Sequence, residues 1–166
     1  MRSATEADAA AIAELLSAHI ATTTNAWTDV PHTAATALTW CDDRETVLVA
    51  EQGGEVVGMA AYGWFRGPGK SGYRFTVENT VHVRESHWRT GLGRRLMEAL
   101  VAEARAAGKH RMIAAIDSGN ERSITFHERL GFVHVARLPE IGAKHGRWLD
   151  LVLLILDLDD RPAPPA

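Results

Sequence analysis

The sequence predicts an α+β fold, a central mixed and twisted sheet with about four helices packed on it. Three observations carry that prediction. Segments of helical and of strand periodicity follow one another in the order ααβββαβαββ, and glycines punctuate the boundaries between them. The run Leu151 to Leu156 is apolar on both faces, as a strand in the interior of a sheet must be.

Each element has its own local reason. Thr5 and Asp8 have the spacing of a capping box, and Ile12, Leu15, Leu16 and Ile20 follow at helical intervals, which predicts a helix over about 6–19. Thr22 to Asn25 ends it as a loop, and a second helix is expected from Thr33 to about Cys41, after Pro31. Val47 to Ala50 and Val56 to Tyr62 read as a hairpin about Gly53-Gly54. Gly67 to Gly72 has the composition of a flexible loop, and Phe75 to Val83 is the next strand. Leu92, Leu96, Ala99, Leu100, Ala104 and Ala107 mark one face of a helix that Gly108 closes. Met112 to Ile116 is a short buried strand, Asn120 to Leu130 a helix ended by Gly131, and Phe132–Val135 and Trp148–Leu158 are two further strands. Residues 1–160 are expected to form one domain, followed by a disordered tail, Arg161 to Ala166, rich in proline and alanine. Only four residues precede Thr5, so any strand there is either very short or cut off.

Composition narrows the function. A charged share of 23% and an apolar share of 46% over 166 residues are those of an ordinary soluble globular protein. A net charge of −3 argues against a general nucleic-acid or anionic-membrane surface. Cys41 is the sole cysteine, which excludes an intramolecular disulfide and fits a reducing compartment. No apolar stretch reaches membrane-spanning length, and the acidic Glu6 and Asp8 near the start do not suit a signal peptide; the cytoplasm is expected. Nothing in the sequence asks for a metal.

The most informative segment is Trp88-Arg89-Thr90-Gly91-Leu92-Gly93-Arg94-Arg95-Leu96. Glycines where a strand gives way to a helix let the backbone approach a ligand, and the first helical N–H groups have no intrahelical acceptor. With the positive end of the helix dipole and three arginines they make a site for a phosphate or pyrophosphate. The position three after Gly93 is Leu96, which departs from the dinucleotide-binding fingerprint, and the Gly-Lys-Ser/Thr of nucleotide hydrolases is absent. A tight turn before a surface helix is the plainer reading of the same glycines.

This loop, in this order of elements, resembles the GCN5-related N-acetyltransferase (GNAT) family, and the likeness spans almost the whole chain. The family's loop, Gln/Arg-x-x-Gly-x-Gly/Ala, is met at Gly91 and Gly93, whereas Trp88 departs at the first position and leaves Arg89 as the nearby side-chain donor. Asn120 to Phe132 is similar to the family's Asn-x-x-Ser-x-x-x-(Tyr/His)-x-x-Leu-Gly-Phe element. Phe75 to Val81, Lys144 to Asp150 and Ile20 to Thr24 resemble, more narrowly, phosphinothricin acetyltransferases, whose relatives act on methionine sulfoximine and methionine sulfone.

The resemblance implies the acyl-CoA N-acyltransferase fold, acetyl-CoA as co-substrate, a homodimer and acetylation of the α-amino group of a small amino-acid analogue. It assigns cofactor binding to Val81, His82, Val83, Arg89, Thr90, Gly91, Leu92, Gly93, Arg94, Asn120 and Ser123. Glu78 is the candidate general base, with His82, on the same strand face, as the alternative. His127 stands where many members carry a thiolate-protonating tyrosine; it either serves that role or packs in the groove. Asn120 binds the pantetheine amides, caps its helix, or does both. Tyr73, Arg74, Thr76, Lys144 and Trp148 are the candidate substrate residues, with Lys70, His145 and Arg147 nearby. Arg74 and Lys70 suit a substrate carboxylate, with solvated loop charge as the plainer alternative; the resemblance implies that Lys144, His145, Arg147 and Trp148 close the pocket across a dimer, with a surface hairpin carrying a packed Trp as theirs. Trp27 is either a pocket wall or core. The same chemistry on another amine, or a silent coenzyme-binding sensor, are the competing functions.

Overall fold

One parallel strand pair in an otherwise antiparallel sheet positions everything that follows. The computed structural model describes residues 1–67 and 69–165; Pro68, in the expected flexible loop, and Ala166, the last residue of the expected tail, lie outside the described residues. The strands are β1 (Arg2–Ser3), β2 (Thr46–Gln52), β3 (Glu55–Trp64), β4 (Thr76–Val83), β5 (Arg111–Asp117), β6 (Val133–Lys144) and β7 (Arg147–Asp157). They form one sheet in the order β1-β2-β3-β4-β5-β7-β6. The helices are α1 (Ala9–Ser17), α2 (Ala34–Asp42), α3 (Leu92–Ala106) and α4 (Glu121–Glu128).

Because α3 carries the chain from β4 back to the start of β5, these two strands run parallel. Their ladder is short: Thr76 pairs with Arg111, Val77 with Met112 and Glu78 with Ile113. Beyond Glu78 the two strands part, although β4 stays paired to β3 as far as Val83 and β5 stays paired to β7 as far as Asp117. The sheet therefore has an opening in its middle.

Two apolar cores cover its two faces. Leu92, Leu96, Met97, Leu100 and Ala104 of α3 pack with Ala60, Tyr62, Val77, Met112 and Leu154. On the other face Ile12, Leu15 and Leu16 of α1 and Ala37 of α2 pack with Val49, Met59 and Ala61. Alternate residues of β3 thus serve opposite cores, as the strand period requires. On β4, Val77, Val81 and Val83 join the α3 core, so Glu78, Thr80 and His82 project toward the α1–α2 face.

Most boundaries fall where the sequence places them. Gly53 and Gly54 both take positive φ (61° and 84°), as a two-residue hairpin turn demands. The strand before Thr5 exists as the two-residue β1, paired to β2. β7 is paired on both sides, as its doubly apolar run implied. The main departure is β6, expected to stop at Val135 and found to continue to Lys144. It is an edge strand whose residues are mostly exposed, and its register to β7 shifts at His134/Ala136 and at Leu138/Gly142. With Pro139 and Gly142 inside it, no alternation survives in the sequence. Arg161, the first residue of the expected tail, donates to Asp159 (2.6 Å) and to the Gly108 carbonyl (2.5 Å).

Candidate active site

The parted strands open into a cleft of about 1350 Å³ that runs from α1 through the sheet to α4. Its floor on the α3 side is the segment the sequence singled out. Arg89 and Gly91 take positive φ (63° and 80°), turning the chain sharply into α3. The first helical bond is Arg95 N–H to the Gly91 carbonyl at 3.1 Å, and Gly91 as N-cap has no side chain to cover the preceding amides. Leu92, Gly93 and Arg94 thus present their N–H groups at the positive end of the helix. Gly93 sits 3.6 Å, measured from where a Cβ would stand, from the Phe126 ring, so the loop and α4 pack closely.

The pairing of β4 shows which of its peptide groups face the opening. Arg84 N–H donates to the Val57 carbonyl (2.9 Å) and Phe65 N–H to the Thr76 carbonyl (3.0 Å). Even-numbered residues of β4 therefore direct their peptide groups to β3, and odd-numbered ones direct theirs toward β5. Past the last pair with β5, Val81 offers both its N–H and C=O to the cleft, and Val83 its N–H. The Val83 carbonyl accepts from Trp88 Nε1 at 2.7 Å. The indole at the family's variant position is thus an internal brace, and Arg122 of α4 lies over its ring at 3.8 Å.

Of the predicted cofactor residues, Val81, His82, Val83, Arg89, Gly91, Leu92, Gly93, Arg94, Asn120 and Ser123 all line this cleft. Thr90 does not; its hydroxyl donates to the His87 carbonyl at 2.8 Å and holds the turn together. Asn120 caps α4, its Oδ1 accepting from Ser123 N–H at 3.1 Å. That bond leaves the Asn120 amide nitrogen as the group with donors to spare.

Glu78 and His127 both line the cleft, but from opposite faces of the sheet. Glu78 is half-buried, and burial pushes its carboxyl pKa up, with the Arg44 guanidinium pulling partly the other way. Gly63 is its cross-strand partner, and a Cβ there would stand 2.9 Å from Arg44 Cδ. The missing side chain is what lets Arg44 lie beside Glu78, stacked on Trp40 at 4.4 Å. His82 shares this face; burial, with His19 and His32 nearby, lowers its pKa to about 4. It is neutral at physiological pH, and burial makes it a weaker base than an ordinary imidazole.

His127 is 3% exposed. Its Nδ1 lies 2.8 Å from the Ser123 carbonyl and its Nε2 lies 3.0 Å from Asn79 Nδ2. A carbonyl can only accept, so Nδ1 carries the proton and donates it. Burial lowers the pKa of the ring, which keeps Nε2 unprotonated and able to accept from the Asn79 amide. Both ring nitrogens thus have partners within the fold, on a ring that also lines the cleft. Asn79 was not foreseen from the sequence. The available sign was one polar residue in the face Val77, Asn79, Val81, Val83, where the other three are apolar.

Within one chain, Tyr73, Arg74, Thr76, Lys144 and Trp148 are not among the residues that line this cleft. Tyr73 packs edge-on against Phe65, and the Arg74 guanidinium lies over Phe75 at 4.5 Å. Thr76 is the first residue of the β4–β5 ladder. Trp148 is 68% exposed on β7. Lys144 is buried, its Nζ donating to the carbonyls of Ile20 (2.6 Å) and Ala26 (2.7 Å). Lys144, which the resemblance places at the pocket across a dimer, clasps within the chain the loop between α1 and α2. Trp27 of that loop lies against Gly142, where an added Cβ would fall 2.6 Å from the indole. Ala18, His19, Thr23 and Asn25, in and beside the clasped stretch, form the wall of the cleft on the α1–α2 side.

A splayed parallel pair, bare amides at the front of the following helix, and a carboxylate on the far face form one arrangement. Residues 12–132 match the acetyltransferase (GNAT) family. The chain belongs to that family. It is 42% identical, over all of its length and 98% of the relative's, to an L-methionine sulfoximine/L-methionine sulfone acetyltransferase of Salmonella typhimurium. It is 36% identical, over 99% of its length and 90% of the relative's, to a phosphinothricin N-acetyltransferase of Streptomyces viridochromogenes. A Salmonella typhimurium acetyltransferase solved with its cofactor acetyl-CoA superposes with a TM-score of 0.92 at 41% identity, covering 99% of this chain and 96% of that one. Family and near full-length correspondence make this chain an acetyltransferase.

Proposed function

We propose that the protein acetylates the α-amino group of a small amino-acid analogue of the methionine sulfoximine, methionine sulfone or phosphinothricin type, with acetyl-CoA as donor. The observation that carries this reading is the opening between β4 and β5, with unpaired amides on its α3 side and Glu78 on the other. Anionic phosphates suit the α3 end, where Leu92, Gly93 and Arg94 present their amides, Arg89 adds a positive charge to the cleft lining, and Gly91 admits the backbone turn. The coenzyme supplies an activated thioester carbonyl.

Val81 N–H, directed into the opening, is placed to polarise a carbonyl oxygen, and as a fixed peptide dipole it needs no reorganisation during reaction. Glu78 takes a proton from the incoming ammonium, directly or through a water, to make the amine nucleophilic. Its raised pKa brings its proton affinity closer to that of the amine than an ordinary carboxylate's would be. His127 positions Asn79 and α4 in this scheme, since its one ring proton is held by the Ser123 carbonyl. Lys144 and Trp27 shape the acceptor pocket through the α1–α2 loop.

The chain acts as one domain, in the cytoplasm, as a homodimer. The lone Cys41 supports the compartment, and among the described residues no helix is long and apolar enough to cross a membrane. The dimer is supported by large apolar side chains left exposed on the edge strand β6 and its neighbour β7: Val133, Val135, Leu138, Ile141 and Trp148. Thiol release from acetyl-CoA in the presence of L-methionine sulfone or phosphinothricin tests the activity. No release with these and related amino acids, despite coenzyme binding, would replace it with a coenzyme-sensing role.

A further inference from the structure

Asn79 carries a buried acceptor that the protein itself does not satisfy. Its side chain is on the α3–α4 face of β4, one residue past the last pair with β5, and is 9% exposed. Its amide nitrogen is spoken for, by His127 Nε2 at 3.0 Å and Met97 Sδ at 3.8 Å. Its Oδ1 is fully shielded and has no hydrogen-bond partner among the described residues.

The orientation of that oxygen is dictated by the histidine. The Ser123 carbonyl requires a proton on His127 Nδ1, and the neutral ring then requires a donor opposite Nε2. Rotating the Asn79 amide by half a turn would set a carbonyl oxygen against an unprotonated nitrogen, so Oδ1 must be the group turned away from His127. Asn79 lines the cleft where the strands part. An unpaired buried carbonyl costs about 1–3 kcal/mol, which a ligand donor reaching it would recover.

The ligand donor must come from the α3–α4 side, because the acceptor amine is met by Glu78, Thr80 and His82 on the other. If acetyl-CoA occupies the cleft as proposed above, its phosphates lie at α3 and its thioester lies in the opening. Between them the cofactor has few N–H groups, and one is the cysteamine amide two carbons from the sulfur. We propose that Asn79 Oδ1 accepts a hydrogen bond from that cysteamine amide N–H, and so sets how far the thioester reaches through the sheet. The ordered chain Ser123 C=O, His127, Asn79 then ties the first turn of α4 to the depth of the reactive carbonyl.

The test is calorimetric, on the full chain. Asn79→Leu keeps the size of the side chain and removes the acceptor. Its affinity for acetyl-CoA should fall about tenfold, while that for 3′,5′-ADP, which lacks the pantetheine arm, stays within about twofold. On the unaltered protein, an acetyl-CoA analogue with an ester in place of the cysteamine amide should bind about tenfold more weakly than acetyl-CoA, and in Asn79→Leu that difference should vanish. Equal binding of amide and ester by the unaltered protein would overturn the proposal even if the variant fails to fold. So would parallel weakening of acetyl-CoA and 3′,5′-ADP in the variant. Failure of the unaltered protein to bind 3′,5′-ADP at all would instead remove the coenzyme reading on which the proposal rests.

Discussion

The two sides of the sheet opening are built by different means. The α3–α4 side is made of contiguous segments: 88–95 supplies the turn and the free amides, and 120–132 supplies the cap, the histidine and the packing ring. The α1–α2 side is gathered from distant pieces: the loop after α1, Arg44, Gly63, the even residues of β4, and Gly142 and Lys144 at the far end of β6. A pyrophosphate asks for a backbone shape that a short motif can encode. A small amino-acid analogue asks for a pocket whose walls only the tertiary fold brings together.

The largest effect that would sharpen this contrast is at Glu78. Glu78→Gln should lower kcat by on the order of 100- to 1000-fold while leaving acetyl-CoA affinity unchanged, because the carboxylate is on the far face from the cofactor. Steady-state kinetics beside calorimetry separates the two quantities, and parallel losses in both would blur the division between the faces. On the cofactor side, Gly91→Val places a branched side chain at φ 80° and should weaken acetyl-CoA binding about tenfold with little change in KM for the amine.

A smaller and opposite signature is expected from the clasp. Lys144→Met leaves the Ile20 and Ala26 carbonyls without their donor and should destabilise the protein by about 1–3 kcal/mol. It should raise KM for the amine several-fold and spare acetyl-CoA binding. Gly142→Ala, which forces Trp27 aside, should show the same pattern more weakly. A change in acetyl-CoA affinity in either variant would mean that the loop serves both faces.

How much of this was legible in the sequence follows the same division. Gly91, Gly93 and Asn120 could be placed because their tasks are local: a left-handed turn, a close approach, a helix cap. Glu78 was singled out by the Thr76-Val77-Glu78 match to phosphinothricin acetyltransferases, and the strand period assigns it a face. The contacts of Lys144 within the chain were not legible because its partners are backbone carbonyls more than a hundred residues away, and carbonyls leave no trace in residue identity. Asn79 was passed over because its meaning depends on the tautomer of a histidine on another element. The end of β6 was lost because an edge strand with shifted register has no buried face to impose alternation.

The pH dependence of acetyl transfer is the most direct test of the central claim, that Glu78 on the far face of the opening receives the amine's proton. Its carboxyl pKa is raised, so the basic form is lost as pH falls through that raised value, above the range of an ordinary carboxylate. With L-methionine sulfone, kcat in the unaltered protein should therefore fall on an acid limb displaced to higher pH than a free glutamate would give, and Glu78→Gln should lack that limb. An identical limb and equal turnover in Glu78→Gln would contradict the account.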